Sequence, residues 1–349
     1  MFHGLSPAHP CATPLCGLDA PSCVLAFVFA GVALQIRSDP ALASRWRLPP
    51  AYLRYTDTSE GARCFVHATC SLALDAGFPA SAAPSGVAAW QRVHGHGERC
   101  DALSVRGDQY AFDVQAVRGQ GAPRFEVAAR VASALIVPEL LLQLAVTLGE
   151  LAGGLCLHAT AVEYAAQAVL LLGPSGAGKS TAAGLLGPAA RCLAHDRVLV
   201  TQLAGAGAAA DGGRPGFEVW ALPIGRPPAL EPSTAMVLPL AGLLRIRQVD
   251  AAAQPDATSS VRRVRPAGAA LYVRQAVESP VGSGFFEPER LMTVSELVLA
   301  APSGIADIAL GQPWSAALAQ FLRFSAAAAA DAVETGAHAA EPVVAHSPF

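Results

Sequence analysis

Nine consecutive residues carry the clearest chemistry in this chain: Gly173, Pro174, Ser175, Gly176, Ala177, Gly178, Lys179, Ser180 and Thr181. The first eight satisfy the pattern G-x-x-x-x-G-K-[ST] in full. Each part of that pattern has a physical reason. Glycines let the backbone turn tightly and bring its N–H groups against phosphate oxygens. A compact ammonium at Lys179 reaches the β- and γ-phosphates, and the Ser180 hydroxyl is placed to ligate Mg²⁺. An apolar run at 168–172 leads into the loop and a helix-competent stretch leads out. The expected ligands are therefore a nucleoside triphosphate, taken as ATP with GTP or pyrophosphate as alternatives, and Mg²⁺.

Lys179 is also the only lysine in 349 residues, and asparagine is absent. The bias towards Ala, Gly, Pro and Arg fits a GC-rich coding sequence in which Arg serves wherever any positive charge will do. A lysine that survives such a bias marks a place where a planar guanidinium is a poor substitute.

Two further segments flank the loop. Upstream is Leu157-His158-Ala159-Thr160-Ala161-Val162, and downstream is Leu193-Ala194-His195-Asp196-Arg197-Val198. Asp196 opens an expected strand soon after the loop helix, where a carboxylate can hold Mg²⁺. It can equally be an ordinary helix-to-strand turn residue. His158 on an apolar strand reads by default as a satisfied core histidine, at about even odds against a functional role.

The order of LHATAV, a short hairpin, VLLLGPSGAGKST and LAHDRV resembles the catalytic domain of HPr kinase/phosphorylase and its relatives, among them serine kinases of bacterial peptide-modification clusters. Residues 217–225 and 262–270 resemble later segments of the same domain, so the likeness runs over about 155–324. It implies a mixed sheet of the kind shared with phosphoenolpyruvate carboxykinase. It implies transfer of phosphate to a hydroxyl, chiefly serine, of a protein or peptide acceptor. It implies catalytic roles for His158, His195 and Asp196, and metal contacts from Ser180, Asp196 and Glu218. His195 departs from the pattern, because the family usually has an Asp there that activates the acceptor hydroxyl. An imidazole also accepts protons near neutral pH. The alternative is a nucleotide-binding regulator or scaffold that has lost transfer.

Other clusters carry less. His94, His96 and Cys100, with Cys64, His67 and Cys70 upstream, match no common zinc spacing. Arg262, Arg263 and Arg265 are either a solvated face or a clamp for phosphate or an acidic substrate.

The elements that must position these residues follow from pattern. The fold class is α/β: a P-loop domain with a mixed sheet, preceded by a smaller β-rich domain. Residues 1–22 read as irregular, 23–135 as the β-rich domain, 136–324 as the nucleotide-binding domain and 325–349 as a disordered Ala-rich tail. Strands are expected at 24–36, 63–72, 102–105, 110–117, 155–163, 168–172, 197–202, 217–222, 242–248 and 304–310. Helices are expected at 140–151, 179–187, 266–277, 288–300 and 313–324. Apolar residues make up 52% and charged residues 15%, enough to bury a core. A net charge of −3 argues against a nucleic-acid partner. The apolar runs at 24–34 and 137–151 are short for a bilayer, so no membrane partner is expected. Eight cysteines without a CxxC pair suggest free thiols and a cytoplasmic setting. A homo-oligomer is left open.

Overall fold

The computed structural model describes residues 23–45, 47–49, 64–75, 92–93, 102–106, 108–117, 122–203, 216–222, 230–249, 258–278 and 287–323. The irregular N-terminus, the Ala-rich tail and the His94-His96-Cys100 group lie outside these residues. Within them the chain is α/β, with two mixed sheets of parallel and antiparallel strands.

The first sheet has seven strands. β1 (Cys23–Phe29) and β2 (Val32–Ser38) are antiparallel, and α1 (Pro40–Ala43) follows. β3 (Val66–Leu74) runs parallel to β2, and β7 (Arg124–Val131) runs parallel to β3. The antiparallel strands β6 (Tyr110–Val117), β5 (Ala102–Arg106) and β4 (Arg92–Val93) complete it, giving the order β1-β2-β3-β7-β6-β5-β4. The apolar run expected as one strand at 24–36 is a hairpin. Its turn holds Ala30 at φ 47° and Gly31 at φ 75°. β7 was missed because charged Arg124, Glu126 and Arg130 punctuate it, although its buried residues alternate as a one-sided strand requires.

α2 (Val137–Leu151) opens the segment expected to begin the nucleotide-binding domain. It nevertheless packs Val137, Leu140, Leu141, Leu144 and Leu148 into the core of the first sheet. Residues 134–151 are long and apolar enough by composition to cross a membrane, yet most of that stretch is buried inside the protein.

The second sheet has nine strands. The expected strand at 155–163 breaks at His158 into β8 (Leu155–Leu157) and β9 (Ala159–Tyr164), which pair with different partners. β9 and β10 (Gln167–Leu172) form a hairpin turned by Ala165 and Ala166, both at positive φ, as tight two-residue hairpins require. After β10 come the loop, α3 (Lys179–Gly184) and the unexpected β11 (Ala190–Ala194), antiparallel to β9. β12 (Val198–Gln202) and β13 (Phe217–Trp220) follow. β14 (Val237–Val249) is antiparallel to β13 at its start and parallel to β10 beyond. β15 (Ser260–Arg263) and β16 (Ser303–Ala309) form the far edge, β16 parallel to β14.

Helices cover both faces. α4 (Pro266–Ala276) and α5 (Glu287–Ala300) pack on the face of Leu170, Leu172 and Leu243. α3 and α6 (residues 315–323) pack on the face of Val169, Leu171 and Leu244. Trp314 donates its indole N–H to the Ala182 carbonyl at 2.7 Å, tying the second layer to the loop helix. Both α4 and α5 carry the expected Pro near their start.

Candidate functional site

The loop leaves the C-terminal end of β10, beside the parallel strand β14, which runs on to Val249. In open α/β sheets that end is where ligands bind. Gly173, Gly176 and Gly178 take φ of 152°, 78° and 84°, which only glycine adopts without strain. Gly178 packs so closely on the Gln248 amide that any added side chain would overlap it. Pro174, Ser175 and Gly176 are exposed along the loop crest.

Lys179 is buried at the first turn of α3. Its ammonium donates to the carbonyls of Gly173 at 2.9 Å and Pro174 at 3.2 Å. No carboxylate pairs with it directly among the described residues. Burial pushes its pKa below the ordinary 10.5, and the negative charges of Asp196 and Glu278 partly offset that. A desolvated cation held only by neutral carbonyls is a favourable place for an anion.

Ser180, His195 and Asp196 come together. The Asp196 carboxylate lies 3.2 Å from His195 Nδ1. It therefore favours the tautomer with the proton on Nδ1, leaving Nε2 to accept from the Ser180 hydroxyl at 2.6 Å. The carboxylate is 67% exposed and the imidazole 13% exposed, so the acid faces solvent while the base is sheltered. Thr181 is exposed on the same turn.

His158 sits at the break between β8 and β9, beside the end of β10. Its Nδ1 lies 3.2 Å from the Glu278 carboxylate. The same carboxylate takes Arg197 Nε at 3.4 Å, and Arg197 reaches Glu139 at 3.8 Å. Backbone bonds brace this corner: the His158 N–H donates to Ala276 O and the Glu278 N–H to Cys156 O. Sequence reading missed Glu278, because a lone acid two residues past a helix end belongs to no motif.

No protein-family model matches the chain, and no curated protein matches it.

Glu218 is not brought to this group. It is buried on β13 opposite Thr201, about 10 Å along the sheet from Val198, where the chain leaves Asp196. Among the described residues no three His, Cys, Asp or Glu side chains gather as a metal cage. Cys64 does approach His67, at 3.5 Å, but Cys70 is buried and its thiol is pushed up to about 12 by desolvation.

The donor set at the loop suits Mg²⁺ bound together with phosphates. It offers one hydroxyl, Ser180, and one exposed carboxylate, Asp196. Mg²⁺ prefers oxygen ligands, keeps several waters and typically takes only one or two carboxylates from the protein.

Proposed function

We propose that the protein is an ATP- and Mg²⁺-dependent kinase of the HPr-kinase-like class, transferring the γ-phosphate to a hydroxyl, chiefly serine, of a protein or peptide. The carrying observation is Lys179: a buried ammonium, unpaired by any carboxylate among the described residues, inside a complete phosphate-loop sequence at the C-terminal end of β10. A cytoplasmic setting goes with this reading, as do free thiols at Cys64, Cys70, Cys156 and Cys192.

In this reading the loop N–H groups cradle the phosphates and Lys179 turns from its own carbonyls onto the β- and γ-phosphates. Ser180 and Asp196 would hold Mg²⁺, which supplies charge neutralisation on the phosphate oxygens. With the Ser180 hydroxyl turned away from it, His195 Nε2 would be free to accept the proton of an incoming hydroxyl. Asp196 then steadies the imidazolium through Nδ1. His158 and Glu278 stand beside the end of β10, next to the loop entrance.

The second reading, a nucleotide-binding regulator without transfer, is favoured by the 2.6 Å contact of Ser180 with His195. That contact occupies both the expected metal ligand and the expected base. Calorimetry tests the common ground of the two readings. Wild type should bind Mg-ATP, and a folded Lys179→Ala variant should lose most of that affinity. Binding by wild type should also take up protons in the alkaline range below 10.5, because phosphate favours the ammonium that burial disfavours. Equal affinity in the variant would remove the site assignment.

A further inference from the structure

We propose that Arg245, Arg247 and Arg262 form a docking surface for an acidic segment of the polypeptide acceptor, beside the phosphate loop. The pairing registers place them together. Leu172, the last residue of β10, lies opposite Arg245; Arg245 lies opposite Ile305, and Ile305 opposite Arg262. The next row on the same face holds Arg247, Asp307 and Ser260. Three guanidinium groups thus share one face of β14, β16 and β15, the face that α4 also packs on nearer Tyr272 and Val273.

Among the described residues their charge is not balanced locally. Asp307 is shared between Arg247 at 3.4 Å and Arg262 at 3.8 Å, and both arginines are 56% exposed. Arg245 is half-buried and has no carboxylate partner among the described residues. Three cations around one anion leave a surplus that an incoming carboxylate relieves, and a guanidinium fork is suited to carboxylate geometry. In a chain whose net charge is −3, this concentration is local rather than a property of the whole surface.

Position decides the occupant. Arg245 is one strand from the loop entrance and Arg262 is three, so the patch reaches about 14 Å from the phosphates. An extended peptide covers that distance in about four residues. A serine held at the loop would therefore lay acidic residues two to four positions away over Arg245, Arg247 and Arg262. This placement of the serine rests on the kinase reading; the binding of acidic peptide to the patch does not.

The test uses a fluorescent peptide with a serine followed by four glutamates, and its glutamine counterpart. Anisotropy is measured against full-length wild type and against Arg247→Glu/Arg262→Glu and Arg247→Gln/Arg262→Gln, each checked by thermal melting, with Mg-ATP affinity followed in parallel. Wild type should bind the acidic peptide about tenfold or more tighter than the neutral one. Both double variants should lose that preference while keeping ATP affinity, the glutamine pair guarding against misfolding of the charge reversal. The preference should also fall steeply with salt. Equal binding of the two peptides by wild type, or an unchanged preference in the folded variants, overturns the proposal. A parallel loss of ATP affinity also overturns it, since the arginines would then belong to the nucleotide site. Absence of ATP binding by wild type, with the acidic preference intact, sinks the kinase reading and leaves the docking surface standing.

Discussion

Asp196 takes φ 68°, a left-handed backbone that aspartate tolerates better than most residues. That turn swings the chain from β11 towards β12 and returns the carboxylate to His195. The imidazole it orients is the residue on which the two functional readings divide. If transfer occurs, His195→Ala should reduce it about a hundredfold or more, as loss of a general base does, while Mg-ATP still binds. His195→Asp should retain or raise transfer, since a carboxylate there can take the same proton. Labelled ATP and a serine-containing acceptor peptide provide the readout, and equal rates for wild type and His195→Ala would dismiss the role. Lys179, Ser180, His195 and Asp196 were legible in the sequence because they lie within one short stretch around a dense local pattern. Glu278 was not, because only the diagonal run of α4 across the sheet carries it to His158. Glu218 was suggested by resemblance alone, and the β12–β13 register sets it elsewhere.

The hairpin of β1 and β2 shows how an element can hide in an unbroken apolar run. Phe27, Phe29, Ala30 and Val32 are all buried, so no polar residue announces the turn. The turn is wedged against the second sheet instead of facing water. A Cβ on Gly31 would stand 2.5 Å from the Phe65 ring and 2.7 Å from the Trp220 ring. Gly31→Ala should therefore destabilise the protein by roughly 2–4 kcal/mol, combining left-handed strain with overpacking. Denaturant titration measures this; a loss below about 1 kcal/mol would mean that the rings move aside freely. β10, β12 and β14 were legible because buried central strands read as apolar runs. β11 was not, since five residues containing Arg191 directly after a helix offer too little pattern.

At the scale of the whole molecule, α2 joins the two sheets. Its Leu140, Leu141, Leu144 and Leu148 belong to the first core, while Val146 packs with Leu199 and Trp220 of the second sheet and Gly149 lets Leu199 approach a Cβ position to 2.5 Å. Glu150 near its end pairs with Arg290 of α5 at 3.2 Å, the two side chains being 1% and 4% exposed. Arg290→Met should cost roughly 3–5 kcal/mol, because it leaves the Glu150 carboxylate buried without this cation. Adding Glu150→Leu should recover much of the loss. Chemical denaturation of the single and double variants checks both, and a neutral single variant would show that water reaches the pair. The joint and the loop helix each also hold a buried tryptophan. Trp220 lies against Phe65 where the sheets meet, and Trp314 is bonded to Ala182 on α3. Nature has thus left two optical probes inside the protein, one beneath the phosphate loop and one at the seam. In a background where the chain's other two tryptophans, Trp46 and Trp90, are phenylalanine, replacing either of this pair makes the emission of the other a label-free trace, so occupancy of the loop and opening of the seam can be followed separately in real time.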